Sequence, residues 1–202
     1  MYRLYDYLPS GNGYKARLVL KYLQLPYELV ELDIKRGATR TAEFIAKNPN
    51  GRIPLLELEG PRYLAESHAI ISYLAEGTEL IPQDRLDRAQ MWQWLCFEQY
   101  QLEPNIGTAR YWLSSLKKTP EELGGKLTDK HAAGYAALAV LEQHLNGRQF
   151  IVTDAYTLAD IALFAYTHVA GEGGFDLAPY PNTNAWCKRV GAQPRWAPIT
   201  AR

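Results

Sequence analysis

Short strand-like runs and single helical stripes alternate over the first third of the chain. Arg3 to Tyr7 is rich in aromatic residues and suits a strand, and the polar break Pro9-Ser10-Gly11-Asn12-Gly13 follows it. Ala16, Val19, Leu20 and Leu23 then recur at helical spacing until Pro26 ends the helix. Tyr27 to Leu32 reads as a second strand, so strand, helix and strand form a βαβ unit with parallel strands. Thr41 to Lys47 predicts a short helix closed by Asn48-Pro49. Pro54 to Glu57 and Tyr63-Leu64 predict two more strands, antiparallel because Glu59-Gly60-Pro61 joins them so briefly. A last helix begins near Glu66, with Ile70, Ile71 and Leu74 on one face. The predicted order is βαβ-α-ββα.

Beyond Gly77 the pattern holds no convincing strand. Pro82-Gln83-Asp84 is a polar linker, followed by helical segments over Leu86 to Tyr111, Thr128 to Leu145, one starting at Thr157, and one near Asn182 to Val190. The Thr157 start is strongly marked. Thr157 is an N-cap, Asp160 stands where it can bond back, and Tyr156 and Ile161 are spaced as a hydrophobic staple. Leu158 to Ala165 is apolar nearly all round except for Asp160, so this helix belongs in the middle of a domain. Two domains are expected: an α/β domain over 1–77 and an all-α domain over 84–202, with a linker at about 78–83.

Composition narrows the function classes. The 202 residues are 47% apolar and 22% charged, as in ordinary globular proteins, and are enough to bury a core. Lys plus Arg and Asp plus Glu both number 22, so no broad field draws the chain to nucleic acid or an anionic membrane. No apolar run approaches a membrane span, and the start lacks the basic and apolar regions of a signal peptide, so no membrane association and a cytoplasmic location are expected. Cys96 and Cys187 form no C-x-x-C pair and are expected as buried free thiols. His68, His131, His144 and His168 show no metal-ligand spacing, so no metal is expected.

Three motifs carry a family resemblance. Asn48-Pro49-Asn50-Gly51-Arg52-Ile53-Pro54 resembles an N-P-x-G-x-V-P loop, Glu66-Ser67 opens a helix about a dozen residues later, and the cap from Thr157 to Asp160 lies in the helical half. Together with the element order, they resemble the cytosolic, bacterial-type glutathione S-transferases over essentially the whole chain. The resemblance implies a thioredoxin-like βαβ-α-ββα domain followed by an all-helical domain. It also implies glutathione as co-substrate, a homodimer, and conjugation chemistry of the detoxification kind.

The residues near the first turn suit that chemistry. A thioredoxin-like domain ordinarily carries its own cysteine where this chain has Ser10-Gly11-Asn12-Gly13, so a reactive sulfur must be borrowed. A free thiol has a pKa near ~8.5, and the thiolate is the nucleophile. A donor beside the sulfur and the positive end of a helix both stabilise the anion. Ser10 matches the serine position of theta-like and zeta-like classes, and Asn12 aligns with the cysteine of beta-like members. Tyr5 and Tyr14 are weaker candidates, and Ser-Gly-Asn-Gly is also a plain capping turn.

The resemblance assigns the remaining ligand contacts. Pro54 resembles the family's cis-proline, which exposes the Ile53 backbone to pair with the glutathione cysteinyl backbone. Ser67 would receive the γ-glutamyl carboxylate at a helix start, and Glu66 would face its ammonium. Lys35 and Arg40, with Arg36 and Arg52 nearby, are candidates for the glycyl carboxylate. The second substrate would lie between the domains, with Tyr100, Glu103 and Arg110 as partly polar lining of an otherwise apolar pocket.

Three functions remain open. One is transfer of the thiolate to an electrophilic hydrophobic carbon. Another is glutathione-dependent disulfide-bond reduction or peroxidase chemistry on the same fold. The third is a non-enzymatic binding protein that has lost the thiol site, against which Ser10, Pro54 and Glu66-Ser67 argue. A zeta-like isomerase is disfavoured because the turn lacks that class's Ser/Cys-rich motif.

Overall fold

The computed structural model describes all 202 residues. The chain forms two compact units, one of Met1–Thr78 with Pro194–Arg202 and the other of Glu79–Gln193. The last nine residues, expected with the helical segment, therefore belong to the first unit.

The first unit contains β1 (Tyr2–Asp6), α1 (Gly11–Tyr22), β2 (Tyr27–Glu31), α2 (Ala42–Lys47), β3 (Leu55–Glu57), β4 (Tyr63–Ala65) and α3 (Ser67–Ala75). Its sheet has the order β2-β1-β3-β4. The β1–β2 pair is parallel and the other two pairs are antiparallel. This is the mixed thioredoxin-like arrangement expected from the element order. Successive strand residues face opposite sides. Tyr5 packs on one side with Phe44 of α2 and with Leu55. Leu4 and Asp6 face the other side, where Asp6 meets α1 through Arg17. α3 packs beside α1, so the sheet lies between these two helices and α2.

Arg17 also ties the C-terminal tail to this layer. Its Nε donates to Asp6 Oδ2 at 2.9 Å, and its Nη2 donates to the Leu8 carbonyl at 2.6 Å. Its Nη1 donates to the carbonyls of Ile199 and Ala201 at 2.7 and 3.1 Å. A planar guanidinium with several fixed donors serves this set, whereas an ammonium on a flexible stem would not. Desolvation pushes the Asp6 carboxyl above the usual carboxylate range, while Arg17 and the Tyr7 N–H pull it back.

The second unit is helical: α4 (Arg85–Phe97), α5 (Thr108–Arg110), α6 (Pro120–Leu123), α7 (Gly125–His144), α8 (Leu158–Thr167) and α9 (Pro181–Gly191). The regular helix expected from Leu86 to Tyr111 is not uniform. After α4 it widens to π geometry over Glu98–Gly107 and again over Tyr111–Ser115. Pro104 lies inside the first π segment. Proline has no N–H to donate and its ring crowds the preceding turn, so the widened register accommodates it. α6 was not anticipated, although Thr119 caps it with Pro120 next and Glu122 completes the capping box.

Every residue of α8 is buried. The Asp160 carboxylate accepts from the Thr157 N–H at 2.9 Å, the Thr157 hydroxyl at 3.0 Å, the Ile151 N–H at 3.0 Å and the Trp186 indole at 2.9 Å. The cap read from the sequence is therefore also the hub joining α8, α9 and the preceding loop. Both cysteines depart from the expected full burial: Cys96 is exposed and Cys187 is half-buried. Burial pushes the Cys187 thiol up to about 12, which leaves it protonated and inert at neutral pH. No helix is long and apolar enough to cross a membrane.

Candidate functional site

The sheet register brings three segments to one end of the first unit. β1 ends at Asp6, while Tyr5 pairs with Leu55 at the start of β3. Leu55 in turn pairs with Ala65 at the end of β4. The turn into α1, the loop ending at Pro54, and the Glu66-Ser67 start of α3 thus emerge from the same edge of three neighbouring strands. Ligands of open α/β sheets gather at such strand ends, where helix starts supply unpaired N–H groups.

At the first turn, Ser10 has extended backbone and its Oγ accepts from the Gly13 N–H at 3.3 Å. This is ordinary N-capping, and a hydroxyl that accepts one bond still has a proton to donate. Asn12 is half-buried, and its Oδ1 lies 2.9 Å from Lys15 Nζ and 3.4 Å from Ser67 Oγ. The starts of α1 and α3 are therefore linked directly. Tyr5 and Tyr14 are occupied elsewhere. The Tyr5 hydroxyl donates to Glu57 at 2.5 Å and accepts from Lys47 at 3.1 Å. The Tyr14 hydroxyl donates to the Ala197 carbonyl at 2.6 Å, and burial pushes its phenol up.

The loop before β3 is built around buried Asn48. Its Nδ2 donates to the Arg52 carbonyl at 2.8 Å, and its Oδ1 accepts from the Asn50 N–H at 3.2 Å. Gly51 has φ of 62°, a left-handed conformation that a β-carbon would strain. The Ile53–Pro54 peptide bond is cis, as the resemblance implies. Arg40 donates to the Asn50 carbonyl at 3.2 Å and so braces this loop, while the Arg52 side chain is exposed. Lys35 lies on a short 3-10 turn, Ile34–Arg36, that follows β2. Its Nζ lies 6.0 Å from the centre of the Tyr7 ring, in a cleft of about 490 Å³ that Asp33 and Arg202 also line.

Glu66, just before α3, has φ of 68° and ψ of 120°, which is rare for a residue with a β-carbon. Such conformations cost on the order of 1–3 kcal/mol and cluster at ligand clamps. Ser67 is buried beside it as the first residue of α3.

The residues expected to line a second-substrate pocket all lie in the second unit. Tyr100 is exposed and Glu103 half-buried on the first π segment. Arg110 is buried, and its Nε and Nη2 both lie 2.9 Å from Glu172 Oε2, so its fork is engaged with that carboxylate. No group of three or more His, Cys, Asp or Glu side chains is gathered to hold a metal ion.

Two residues of the first unit went unanticipated. Lys15 is completely buried, and His68 Nε2 lies 3.3 Å from its Nζ. The available signal was spacing: Lys15 follows Asn12 by three positions, one helical turn, and His68 follows Ser67 at the helix start.

Residues 1–76 match the family model described as "Glutathione S-transferase, N-terminal domain", and residues 109–194 match "Glutathione S-transferase, C-terminal domain". The chain belongs to the glutathione S-transferase family. Glutathione S-transferase 3 of Zea mays is 31% identical over 98% of this chain and 93% of its own length. Disulfide-bond oxidoreductase YfcG of Escherichia coli is 28% identical over 93% of this chain and 89% of its own. Among solved structures, a possible glutathione S-transferase from Rhodopseudomonas palustris shares 48% identity with a TM-score of 0.97, covering 100% of this chain and 91% of that one. A glutathione transferase from Burkholderia graminis, solved with two glutathione molecules per subunit, shares 30% identity with a TM-score of 0.82, covering 96% and 85%. Within this glutathione S-transferase family member, the sheet register gathers the Pro54 loop and the Glu66-Ser67 start at one edge with the first turn, while the Thr157 cap belongs to the second unit.

Proposed function

We propose that this chain is a glutathione transferase that binds glutathione on its first unit, stabilises the thiolate at the start of α1, and transfers it to an electrophilic hydrophobic substrate. The reading rests most heavily on one observation. The turn at Ser10–Gly13 carries hydroxyl and amide donors but no sulfur, at the same sheet edge as the cis-Pro54 loop and the strained Glu66 before Ser67.

The tripeptide supplies what the turn lacks. Its cysteinyl backbone pairs with Ile53 in the manner of an added strand. Its γ-glutamyl carboxylate takes the Ser67 N–H and hydroxyl at the positive end of α3, and Glu66 receives the ammonium. Lys35, Arg40 and Arg52 are the candidates for the glycyl carboxylate. The thiol then lies at the start of α1, where Ser10 or Asn12 donates to sulfur and lowers its pKa. Tyr100, Glu103 and Arg110 remain the candidates for contact with the second substrate. A cytoplasmic homodimer completes the reading.

A second reading, glutathione-dependent disulfide reduction, is favoured by Asn12 in its glycine-flanked turn and by the similarity to YfcG. There the thiolate attacks one sulfur of the disulfide and expels the other as a thiolate, and a second glutathione thiolate resolves the mixed disulfide to oxidised glutathione and the second thiol. Reaction with glutathione across halide, enone, epoxide, peroxide and disulfide panels separates the two. A thioether conjugate supports transfer; released thiol with oxidised glutathione supports reduction; no turnover of any panel contradicts both.

A further inference from the structure

Lys15 is the least expected residue near the first turn of α1. It is a lysine with no exposed surface, one helical turn beyond Asn12 and against the start of α3. Its chemistry fixes the orientation of the Asn12 amide. An ammonium can only donate, so the Asn12 atom 2.9 Å from Lys15 Nζ must be the carbonyl oxygen. Ser67 Oγ, 3.4 Å away, points its proton at that same oxygen. His68 Nε2 lies 3.3 Å from Nζ and accepts from it in the tautomer that carries its proton on Nδ1.

These constraints leave Asn12 with its acceptor end occupied from inside the protein. Its remaining polar atom is Nδ2, which carries two protons and no lone pair to offer. An asparagine free to flip would present either end to a neighbouring sulfur, and its carbonyl would repel a thiolate. We propose that Lys15 is a positioning residue that clamps the Asn12 carbonyl, so that the Asn12 amide N–H₂ is the end presented to the glutathione sulfur. The inference rests on the reading of this edge as the glutathione site. It assigns Asn12 the donor role and Ser10 the capping of α1. It also makes the thiol and γ-glutamyl ends of the ligand share one hydrogen-bonded network through Asn12 and Ser67.

The test compares glutathione binding, by calorimetry, with the pKa of the bound thiol, by ultraviolet thiolate absorbance. Lys15→Met should raise the bound-thiol pKa by about one unit, a tenfold loss of thiolate below that pKa. kcat should fall accordingly while KM for glutathione changes far less. Lys15→Gln retains an N–H donor without the charge, and should restore part of the effect. Asn12→Asp keeps an acceptor for Lys15 but removes both N–H donors, and should raise the thiol pKa further than Asn12→Ala does. Should Lys15→Met fail to fold, the Asn12 pair decides: an Asp variant no worse than the Ala variant overturns the proposal. An unchanged thiol pKa in folded Lys15→Met overturns it too. Failure of the parent protein to bind glutathione would instead remove the underlying reading of the site.

Discussion

Gly13 lies so close to the Asp6 carboxylate that a β-carbon there would overlap the carboxylate oxygens. The Asp6 carboxylate at the end of β1 therefore packs directly on the Gly13 backbone of α1, which leaves no room for a side chain at position 13. Asp6 is itself held by Arg17 and the Tyr7 N–H, so it has nowhere to retreat.

Gly13→Ala should therefore destabilise the first unit, although alanine is the better helix former. Overpacking against a buried, hydrogen-bonded ion pair costs on the order of 1–3 kcal/mol or more. Denaturant titration should show a clearly lower midpoint; a midpoint at or above that of the parent would mean the helix start is not fixed by this contact.

Glu66 separates stability from binding. Its backbone conformation favours glycine, so Glu66→Gly should leave the melting temperature unchanged or slightly raised. Loss of the proposed charge-assisted hydrogen bond to the ligand ammonium, a class worth about 1.5–3 kcal/mol, should weaken glutathione binding by roughly tenfold to a hundredfold. Weakened binding accompanied by a large loss of stability would show that Glu66 holds the fold and not the ligand.

Asp160 should be the most sensitive position of the second unit. Asp160→Ala strands the Thr157 and Ile151 N–H groups and the Trp186 indole in a buried setting. Each stranded donor costs about 1–3 kcal/mol, so the variant should lose most of its native stability and express poorly. Near-parent thermal unfolding of Asp160→Ala would contradict this role as a hub.

His168 predicts a pH dependence. Burial lowers its pKa to about 4, with Arg110 lowering it further and the Phe164 carbonyl and Glu172 opposing. The folded state thus resists a proton that the unfolded chain accepts near its ordinary ~6.5. Stability from the neutral ring is fully present above about pH 6.5 and is lost as pH falls toward 4, up to roughly 3 kcal/mol. His168→Gln cannot protonate, so the stability gap between parent and variant should narrow on acidification. A gap constant from pH 7 to pH 4.5 would contradict the assignment.

The fold was legible because its signals are local. The helical spacing of Ala16 to Leu23, the break at Pro26 and the brief Glu59-Gly60-Pro61 turn depend on neighbours within a few residues. The Thr157 cap was equally readable, but its bonds to Ile151 and Trp186 come from elsewhere in the chain and leave no periodic trace. Pro104 was visible in the sequence, yet a strong helical pattern on both sides masked the widened register it imposes. Lys15 was hidden for a different reason. A lysine on a helix is ordinarily solvated, and nothing local in the sequence shows that Lys15 is buried with His68 of α3 beside it. The tail is similar: nothing local in Pro194–Arg202 announces that its carbonyls answer Arg17, far away in sequence.

A crystal structure of this chain with glutathione would weigh the borrowed sulfur most directly. The expected result is one tripeptide along the Ile53–Pro54 edge, its carboxylate at Ser67 and its sulfur within hydrogen-bond reach of Ser10 Oγ or Asn12 Nδ2. Sulfur density remote from the α1 turn, or saturating ligand that leaves this edge vacant, would contradict it.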